Sequence, residues 1–285
     1  MTDERGTRAF VPGHVTGLFS IHRTDDPATT GSRGAGLALE SGVTVHVRPS
    51  EESEIHLDGE EISVEAVEFL LDAIDRTATV EATTDLPLGS GFGISGAMAL
   101  GTALAANATF DLGRSENDLV RMAHVAEIEA GTGLGDVVAQ ARGGVPIRVE
   151  PGAPPAGVMD GIPAVADVEY LDLGDLSTPE VLSDRPERIT AAGTAALQTL
   201  RERPTLDRFM AASRRFAEET GLLTDDLRTI VEDVEAAGGR ASMAMLGRTV
   251  FALDAGLSDA GYDPQRTAIH RGGATVLRNQ NSPSR

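Results

Sequence analysis

The feature that most constrains the fold is a glycine-rich stretch from Leu86 to Ala97, which reads Leu-Pro-Leu-Gly-Ser-Gly-Phe-Gly-Ile-Ser-Gly-Ala. Residues 78–83 before it have the mixed polar and apolar pattern of a half-buried strand, and residues 95–106 after it have a helical pattern rich in small side chains. Glycines at a strand-to-helix turn let backbone N–H groups approach an anion, and the helix N-terminus adds its dipole. The stretch therefore predicts a phosphate-binding loop, with a glycine-rich turn that binds nothing as the alternative.

Two other kinds of glycine-rich loop have to be tested against the same residues. Gly91, Gly93 and Gly96 satisfy the dinucleotide-binding pattern G-x-G-x-x-G, and Asp111 follows where the ribose-binding carboxylate would be. The context disagrees, because the preceding strand carries polar residues such as Glu81, and Asp111 follows a helix instead of a strand. A Walker-type loop requires a lysine, and the sequence contains none. Backbone amides, a metal ion or arginine must therefore neutralise any bound phosphate.

Charge and composition exclude several classes of protein. The chain has 24 basic and 44 acidic residues and a net charge of -20, so we expect no nucleic acid and no anionic membrane surface as a partner. It has no cysteine, which excludes disulfides and thiolate metal sites. The segment Met1–Arg8 is too polar for a signal peptide, and no apolar run could span a bilayer, so a cytoplasmic protein is expected. An acidic, lysine-free surface is typical of adaptation to high salt, although an acidic proteome without functional meaning is the simpler explanation.

The order of the predicted elements indicates an α+β fold, because strands and helices mix without a regular βαβ alternation. Strands and hairpins are expected in the first third, and Ser63 and Ser115 are expected to begin the two flanking helices of the loop region. Further elements are expected as helices at 186–201, 206–219 and 225–237 and as strands at 143–149, 166–173, 249–253 and 273–277. The proline- and glycine-rich stretch 151–163 is the best candidate for a linker between two domains.

Several segments together resemble a known family. The glycine-rich stretch is similar to the phosphate loop of the GHMP kinases, whose pattern P-x-x-x-G-x-x-S-S/G-A places a serine at the start of a helix. Segments 11–20, 31–36, 132–136 and 241–247 resemble the narrower group of archaeal pantoate kinases, and the resemblance covers nearly the whole chain. The last segment reads Ser-Met-Ala-Met-Leu-Gly where the wider superfamily is usually glycine-rich, so specificity cannot be carried over from distant members.

The resemblance implies a fold and a division of the chain. The GHMP kinase fold has an N-terminal domain like the second domain of ribosomal protein S5 and a C-terminal ferredoxin-like domain. On this sequence the ATP-binding domain is expected at 1–155 and the ferredoxin-like domain at 156–285. The implied activity is transfer of the ATP γ-phosphoryl group to (R)-pantoate, giving (R)-4-phosphopantoate on the archaeal route to coenzyme A. A homodimer is also implied.

The same resemblance assigns the nucleotide and metal contacts. ATP phosphates are expected to contact residues Pro87, Gly89, Ser90, Gly91, Phe92, Gly93, Ile94, Ser95, Gly96 and Ala97. Ser95 and Glu127 are expected to hold Mg²⁺, which prefers few carboxylates together with water and phosphate oxygens. Asp136 is expected to orient or deprotonate the acceptor hydroxyl. Without the resemblance, Ser95 and Asp136 would be read as helix N-caps and Glu127 as a solvated surface charge.

Contacts to the substrate are implied in the same way. Pantoate carries a carboxylate, which in a lysine-free protein should be received by an arginine, and Arg148 matches the family position. His124, three residues before Glu127 on one helical face, is expected to contact the substrate, with a core histidine as the alternative. Ser20 and Thr178 are expected as hydroxyl contacts, and the arginine alternatives are Arg23 and Arg33. A kinase for homoserine, mevalonate or shikimate, and an ATP-binding protein without catalytic activity, stay open as alternative functions.

Overall fold

The computed structural model describes residues 6–174, 186–245 and 247–278. The strands are β1 (Thr7–His22), β2 (Gly31–Pro49), β3 (Glu54–Leu57), β4 (Glu60–Glu61), β5 (Ala78–Thr84), β6 (Val145–Glu150), β7 (Val158–Ile162), β8 (Asp167–Asp172), β9 (Ala241–Ala244), β10 (Thr249–Leu253), β11 (Gln265–Ala268) and β12 (Thr275–Leu277). The helices are α1 (Glu65–Ala73), α2 (Ile94–Thr109), α3 (Glu116–Ala130), α4 (Asp136–Arg142), α5 (Pro186–Glu202), α6 (Leu206–Thr220), α7 (Asp225–Ala236) and α8 (Gly256–Asp259). Their irregular order confirms the predicted α+β class.

The larger sheet is built on a long antiparallel hairpin of β1 and β2, and its strand order is β12-β1-β2-β5-β3-β4. Strand β6 pairs with the N-terminal part of β2, and β7 pairs with β6. The sequence predicts several short strands in this region, and the structure joins them into two long ones. Register shifts lie between Pro12 and Gly13 and between Thr16 and Leu18. These bulges bend β1 without ending it. In the sequence they look like breaks between short strands, because they interrupt the apolar runs.

The smaller sheet is antiparallel in the order β11-β8-β10-β9, and α6 and α7 pack against it. Phe209 on α6 packs on Phe251 of β10, with ring centroids 6.3 Å apart. Phe216 on the same helix meets Phe19 of β1 at 5.5 Å. Aromatic side chains therefore join the helices of the second half of the chain to both sheets.

Helix α2 is the central helix of the first half of the chain, and its residues from Gly96 to Ala106 are all buried. It packs on β1, β2 and α3. A Cβ on Gly101 would lie 2.5 Å from Val45 Cγ2, so a larger residue would push the helix away from the sheet. The small residues of this helix thus fix how closely it approaches the strands, and with it the position of the glycine-rich loop at its N-terminus.

Several boundaries differ from the predictions. Helix α1 begins after Val64, which makes no side-chain cap, and Ser63 instead donates to Glu68 at 2.7 Å, so the predicted Ser63 cap is wrong by one residue. Ser115 caps α3 in a reciprocal capping box with Asp118, as predicted. The stretch 151–163 is not a simple linker, because β7 pairs with β6 within it.

The division of the chain at residue 155 stays a prediction, although the larger sheet continues through β7 beyond that point. Strand β11 was not predicted, and it completes the smaller sheet beside β8. Across the described ranges, no helix has both the length and the apolar character needed to cross a membrane.

Candidate active site

The glycine-rich loop leads from β5 into α2 with left-handed backbone at alternate residues. Gly89, Gly91 and Gly93 have φ angles of 78°, 88° and 66°, which side chains with a Cβ adopt only at a cost. Gly93 is the N-cap of α2 and provides no side-chain cap, so the first backbone N–H groups of the helix are available to a ligand. A concave run of free amides beside a helix N-terminus suits an anion such as phosphate.

The loop is held in place from three directions. The ring of Phe92 is buried against Tyr170 of β8, with centroids 4.8 Å apart. The carbonyl of Phe92 accepts from the backbone N–H of His14 at 2.9 Å, and that of Ser90 accepts from Thr249 Oγ1 at 2.9 Å. A Cβ on Gly247 would clash with the Ser90 carbonyl, so the turn after β9 packs directly on the loop.

Ser95, Glu127 and Thr132 form a cluster that we call the hydroxyl cluster. Both hydroxyls donate to the same carboxylate oxygen, Glu127 Oε1, and the bond from Thr132 is 2.7 Å. The other oxygen, Oε2, faces Gly133, where a Cβ would clash with it. Burial raises the pKa of Glu127 to about 7, although the bonds from Ser95 and Thr132 act to lower it.

The hydroxyl cluster has the donor chemistry of a magnesium site. It presents a serine hydroxyl and a carboxylate oxygen side by side, and hard cations such as Mg²⁺ bind oxygen ligands. Within the described residues no group of three or more His, Cys, Asp or Glu side chains could hold a metal ion. A site of one carboxylate and one hydroxyl fits Mg²⁺ because phosphate oxygens and water complete its coordination.

Asp136 and His14 form a second cluster, the imidazole pair. His14 Nδ1 lies 2.7 Å from Asp136 Oδ1, and His14 is completely buried. Burial lowers the pKa of His14, so the neutral imidazole donates its Nδ1–H to the carboxylate. Burial acts to raise the pKa of Asp136, but the bond from His14 and the nearby charge of Arg148 outweigh it and lower that pKa.

Arg148 on β6 is buried behind the turn that precedes α4. A Cβ on Gly135 would lie 2.9 Å from Arg148 Nε and 2.7 Å from Ser32 Oγ. Arg148 Nε and Nη1 have no hydrogen-bond partner within the described residues. Burial lowers the pKa of this guanidinium and Asp136 raises it, so a buried cation with free donors lies beside the imidazole pair.

The remaining predicted substrate contacts are His124, Ser20 and Thr178. His124 is buried on α3, and its Nε2 bonds the carbonyl of Thr30 at 2.8 Å. Burial lowers the pKa of His124, and the charge of Arg148 lowers it further. Ser20 is buried on β1 and bonds His22 Nε2 at 2.9 Å. Thr178 lies outside the described residues.

The two alternative arginines occupy different surroundings. Arg33 Nη2 donates to Glu150 Oε2 at 2.5 Å, so its charge already has a carboxylate partner. Arg23 is exposed just beyond the end of β1. Arg33 Nε is also buried without a partner among the described residues, but Arg148 is the more deeply buried of the two and has two such donors.

One cavity of about 360 Å³ joins the loop to both clusters. Its lining includes the predicted residues Gly89, Gly91, Phe92, Gly93, Ile94, Ser95, Gly96, Glu127 and Asp136, together with Thr16, Leu88, Ala130, Gly131, Thr132 and Met245. Pro87, Ser90 and Ala97 are part of the loop segment but do not line the cavity. Ser20, His124 and Arg148 do not line it either.

Three side chains of the site received no role in the sequence analysis. His14 and Thr132 lie within segments that carry the family resemblance, and only their place in those segments could have indicated a role. Gln140 follows Asp136 by one helical turn and donates to the carbonyl of Gly93 at 2.9 Å. Spacing of four residues on a helix could have placed Gln140 on the same face as Asp136, but nothing in the sequence names Gly93 as its partner.

The chain is similar to known proteins along most of its length. Residues 61–144 match the family model described as the GHMP kinases N terminal domain. The chain is 34% identical over 255 residues to the pantoate kinase of Methanocaldococcus jannaschii, covering 86% of this chain and 91% of that protein. It is 38% identical over 263 residues to the pantoate kinase of Thermococcus kodakarensis, covering 86% and 87%. A solved structure described as a phosphotransferase related to the CoA biosynthesis pathway has a TM-score of 0.84 at 31% identity, covering 95% of this chain and 98% of that one.

Proposed function

The chain belongs to the pantoate kinases of the GHMP kinase superfamily, and from this premise we propose that it transfers the γ-phosphoryl group of ATP to (R)-pantoate, giving (R)-4-phosphopantoate. The product serves coenzyme A biosynthesis, the pathway named for the similar solved structure. Identity above 30% along most of both chains favours pantoate over homoserine, mevalonate and shikimate, and favours a working kinase over a protein that only binds ATP.

The observation that carries the proposal within the site is the buried guanidinium of Arg148. Its Nε and Nη1 are free of partners among the described residues, and it lies close to Asp136. A buried cation needs a counter-charge or hydrogen-bond acceptors, and a carboxylate supplies both through paired bonds. The acceptor is therefore an acid whose carboxylate meets Arg148 while its hydroxyl reaches Asp136.

The nucleotide binds at the glycine-rich loop, on the side of Asp136 away from Arg148. Backbone amides of the loop from Gly89 to Gly93 and the N-terminus of α2 receive the phosphates, with no lysine involved. Ser95 and Glu127 hold Mg²⁺, and the ion supplies charge neutralisation for the phosphates when bound. The hydroxyl of Thr132 donates to Glu127 Oε1 and would keep that carboxylate oriented with the ion bound.

Proton transfer is the task of Asp136. Its pKa is lowered, so the carboxylate is ionised at neutral pH and can accept a proton from the acceptor hydroxyl. Oδ1 is engaged by His14, which leaves Oδ2 for the substrate. His124, Ser20 and Thr178 are proposed to complete the substrate pocket.

The test of the function is an acceptor screen with purified protein, ATP and MgCl₂ at low and high KCl concentration. ADP formation and mass-spectrometric detection of phosphopantoate should both depend on pantoate and on Mg²⁺. Turnover of homoserine, mevalonate or shikimate with pantoate ignored would refute the substrate assignment and leave the kinase fold intact. The salt series also tests the proposed adaptation to high salt, for which activity should rise with KCl.

Three further parts of the prediction belong to this proposal. We expect a homodimer, a cytoplasmic location, and two domains divided near residue 155. The dimer is tested by light scattering across the salt series, since an acidic interface would be more stable when its charges are screened.

A further inference from the structure

Gln140 connects the helix that carries Asp136 to the end of the glycine-rich loop. Its side chain is completely buried, and Nε2 donates to the carbonyl of Gly93 at 2.9 Å. The same carbonyl accepts the first helical bond of α2, from the N–H of Ala97 at 3.0 Å. The orientation of the amide is fixed, because a flipped side chain would place Oε1 against the carbonyl oxygen.

Asp136 and Gln140 contact the same glycine. A Cβ on Gly93 would lie 3.2 Å from the Cβ of Asp136 and 3.1 Å from Gln140 Nε2. The two side chains are four residues apart on α4 and so lie on one face of the helix. Asp136 and Gln140 therefore both face the side of Gly93 where a Cβ would be, at the residue where the loop ends and α2 begins.

The other anchors of the loop reach it from elements that do not carry Asp136. Thr249 on β10 donates to the Ser90 carbonyl, and the Phe92 ring packs on Tyr170 of β8. The backbone of His14 bonds the Phe92 carbonyl from β1, and its imidazole bonds Asp136. Gln140 differs from these anchors because it lies on α4, the helix that carries Asp136, one turn after that residue. His14 reaches both the loop and Asp136, but from another element, β1.

We propose that Gln140 is a positioning residue that fixes the phosphate loop relative to Asp136. This inference rests on the proposed function, because in-line phosphoryl transfer requires the acceptor hydroxyl and the γ-phosphorus to be aligned. A loop with left-handed glycines at alternate positions is intrinsically permissive and needs external bonds to hold one geometry. Misplacement by about 1 Å can cost ~100-fold in rate.

The kinetic test compares Gln140→Met with Thr249→Val. Methionine keeps the length and approximate volume of glutamine but cannot donate a hydrogen bond. Gln140→Met should lower kcat by about tenfold or more while the KM for pantoate stays within about twofold. Thr249→Val loosens the loop from the side away from Asp136, so its main effect should be a higher KM for ATP. Equal kcat values for Gln140→Met and the wild type, compared at a temperature where both are folded, would overturn the proposal.

Hydrogen exchange gives a readout that does not depend on activity. In Gln140→Met the peptides covering 88–97 and 136–142 should both exchange faster, whereas Thr249→Val should affect only the first. Unchanged exchange in both peptides would mean that Gln140 only fills space. If the wild-type protein fails to phosphorylate pantoate but Gln140→Met still loosens both peptides, the proposed function is wrong and the positioning role stands.

Discussion

The hydroxyl cluster and the imidazole pair each contain one carboxylate at the same cavity, and their surroundings shift the two pKa values in opposite directions. Among the residues that the structure describes, only the neutral hydroxyls of Ser95 and Thr132 bond the carboxylate of Glu127, so burial prevails and its pKa is raised to about 7. Asp136 is also desolvated, but His14 and the charge of Arg148 lower its pKa. Two chemically similar groups therefore receive different properties from a few neighbours.

The difference separates two tasks. A carboxylate whose charge is poorly compensated gains most from a cation, and this suits Glu127 to the proposed Mg²⁺. A carboxylate already ionised and held by an imidazole suits Asp136 to accept a proton from a substrate hydroxyl. The comparison predicts that changes in the imidazole pair act on the rate, and changes in the hydroxyl cluster act on the metal requirement.

The largest effect is expected from Asp136→Asn, which removes the proposed proton acceptor but keeps the shape of the side chain. The value of kcat should fall by roughly 100- to 10,000-fold, the usual contribution of a positioned base. Affinity for ATP, measured by isothermal titration, should stay within about threefold. A variant that keeps most of its turnover would show that Asp136 is not the base.

The second effect concerns the partner of that base. His14→Ala removes the bond that lowers the pKa of Asp136, so burial should raise that pKa. Because only the ionised carboxylate accepts a proton, the acid limb of the kcat profile should move to higher pH, and kcat at neutral pH should fall by roughly tenfold or more. A pH-rate profile measures both.

His14→Gln is the matched control for this change. Its amide can still donate a hydrogen bond to Asp136, so its acid limb should lie between those of the wild type and His14→Ala. An acid limb that does not move in either variant would mean that His14 has no influence on the protonation of Asp136.

A smaller effect is expected in the hydroxyl cluster from Thr132→Val. This change removes one of the two hydroxyls on Glu127 Oε1 but leaves Ser95 in place. The Mg²⁺ concentration for half-maximal activity should rise by a few-fold, the change expected for a lost hydrogen bond of ~1 kcal/mol. The value of kcat at saturating Mg²⁺ should change by less than about twofold. A large loss of kcat with unchanged Mg²⁺ dependence would contradict the division of tasks.

The glycine-rich loop and the imidazole pair differ in how far the sequence predicts them. The phosphate loop follows from three glycines at a strand-to-helix turn, and the helical spacing from His124 to Glu127 follows from local rules. The α+β class and the helices of the second half follow from apolar periodicity. These are short-range properties, which is why the residues alone predict them.

The imidazole pair could not be derived in that way. His14 and Asp136 are 122 positions apart, and their contact depends on how β1 bends past α4. The bulges that produce the bend lie at Pro12/Gly13 and Thr16/Leu18, and interrupted apolar runs hide them. The bond from Gln140 to Gly93 is likewise a product of tertiary packing. A resemblance can name such residues, but only the fold explains what they touch.

The smallest kinetic effect is expected from a change at a buried carboxylate outside the cavity. This carboxylate serves as a control for the comparison of Glu127 with Asp136. Glu169 on β8 is 3% exposed and accepts from Ser258 through both its backbone N–H, at 2.9 Å, and its hydroxyl. Burial acts to raise its pKa, but these bonds and Arg266 lower it below the ordinary value. Like Asp136, it is a desolvated carboxylate kept ionised by its partners, but it has no contact with the cavity.

Glu169→Gln should therefore change stability and leave kcat unaltered. The free energy of unfolding should fall by about 1–3 kcal/mol, because an amide satisfies the same donors less well than a carboxylate does. A lowered folded-state pKa makes the contribution of Glu169 complete above the unfolded value of about 4.5, and it is lost as the pH falls through the folded-state pKa. Urea unfolding at several pH values should therefore show that the difference in unfolding free energy between variant and wild type shrinks as the pH falls below about 4.5. A fall in kcat at neutral pH would mean that ionised carboxylates affect the reaction wherever they lie, and that the contrast between Glu127 and Asp136 does not explain their roles.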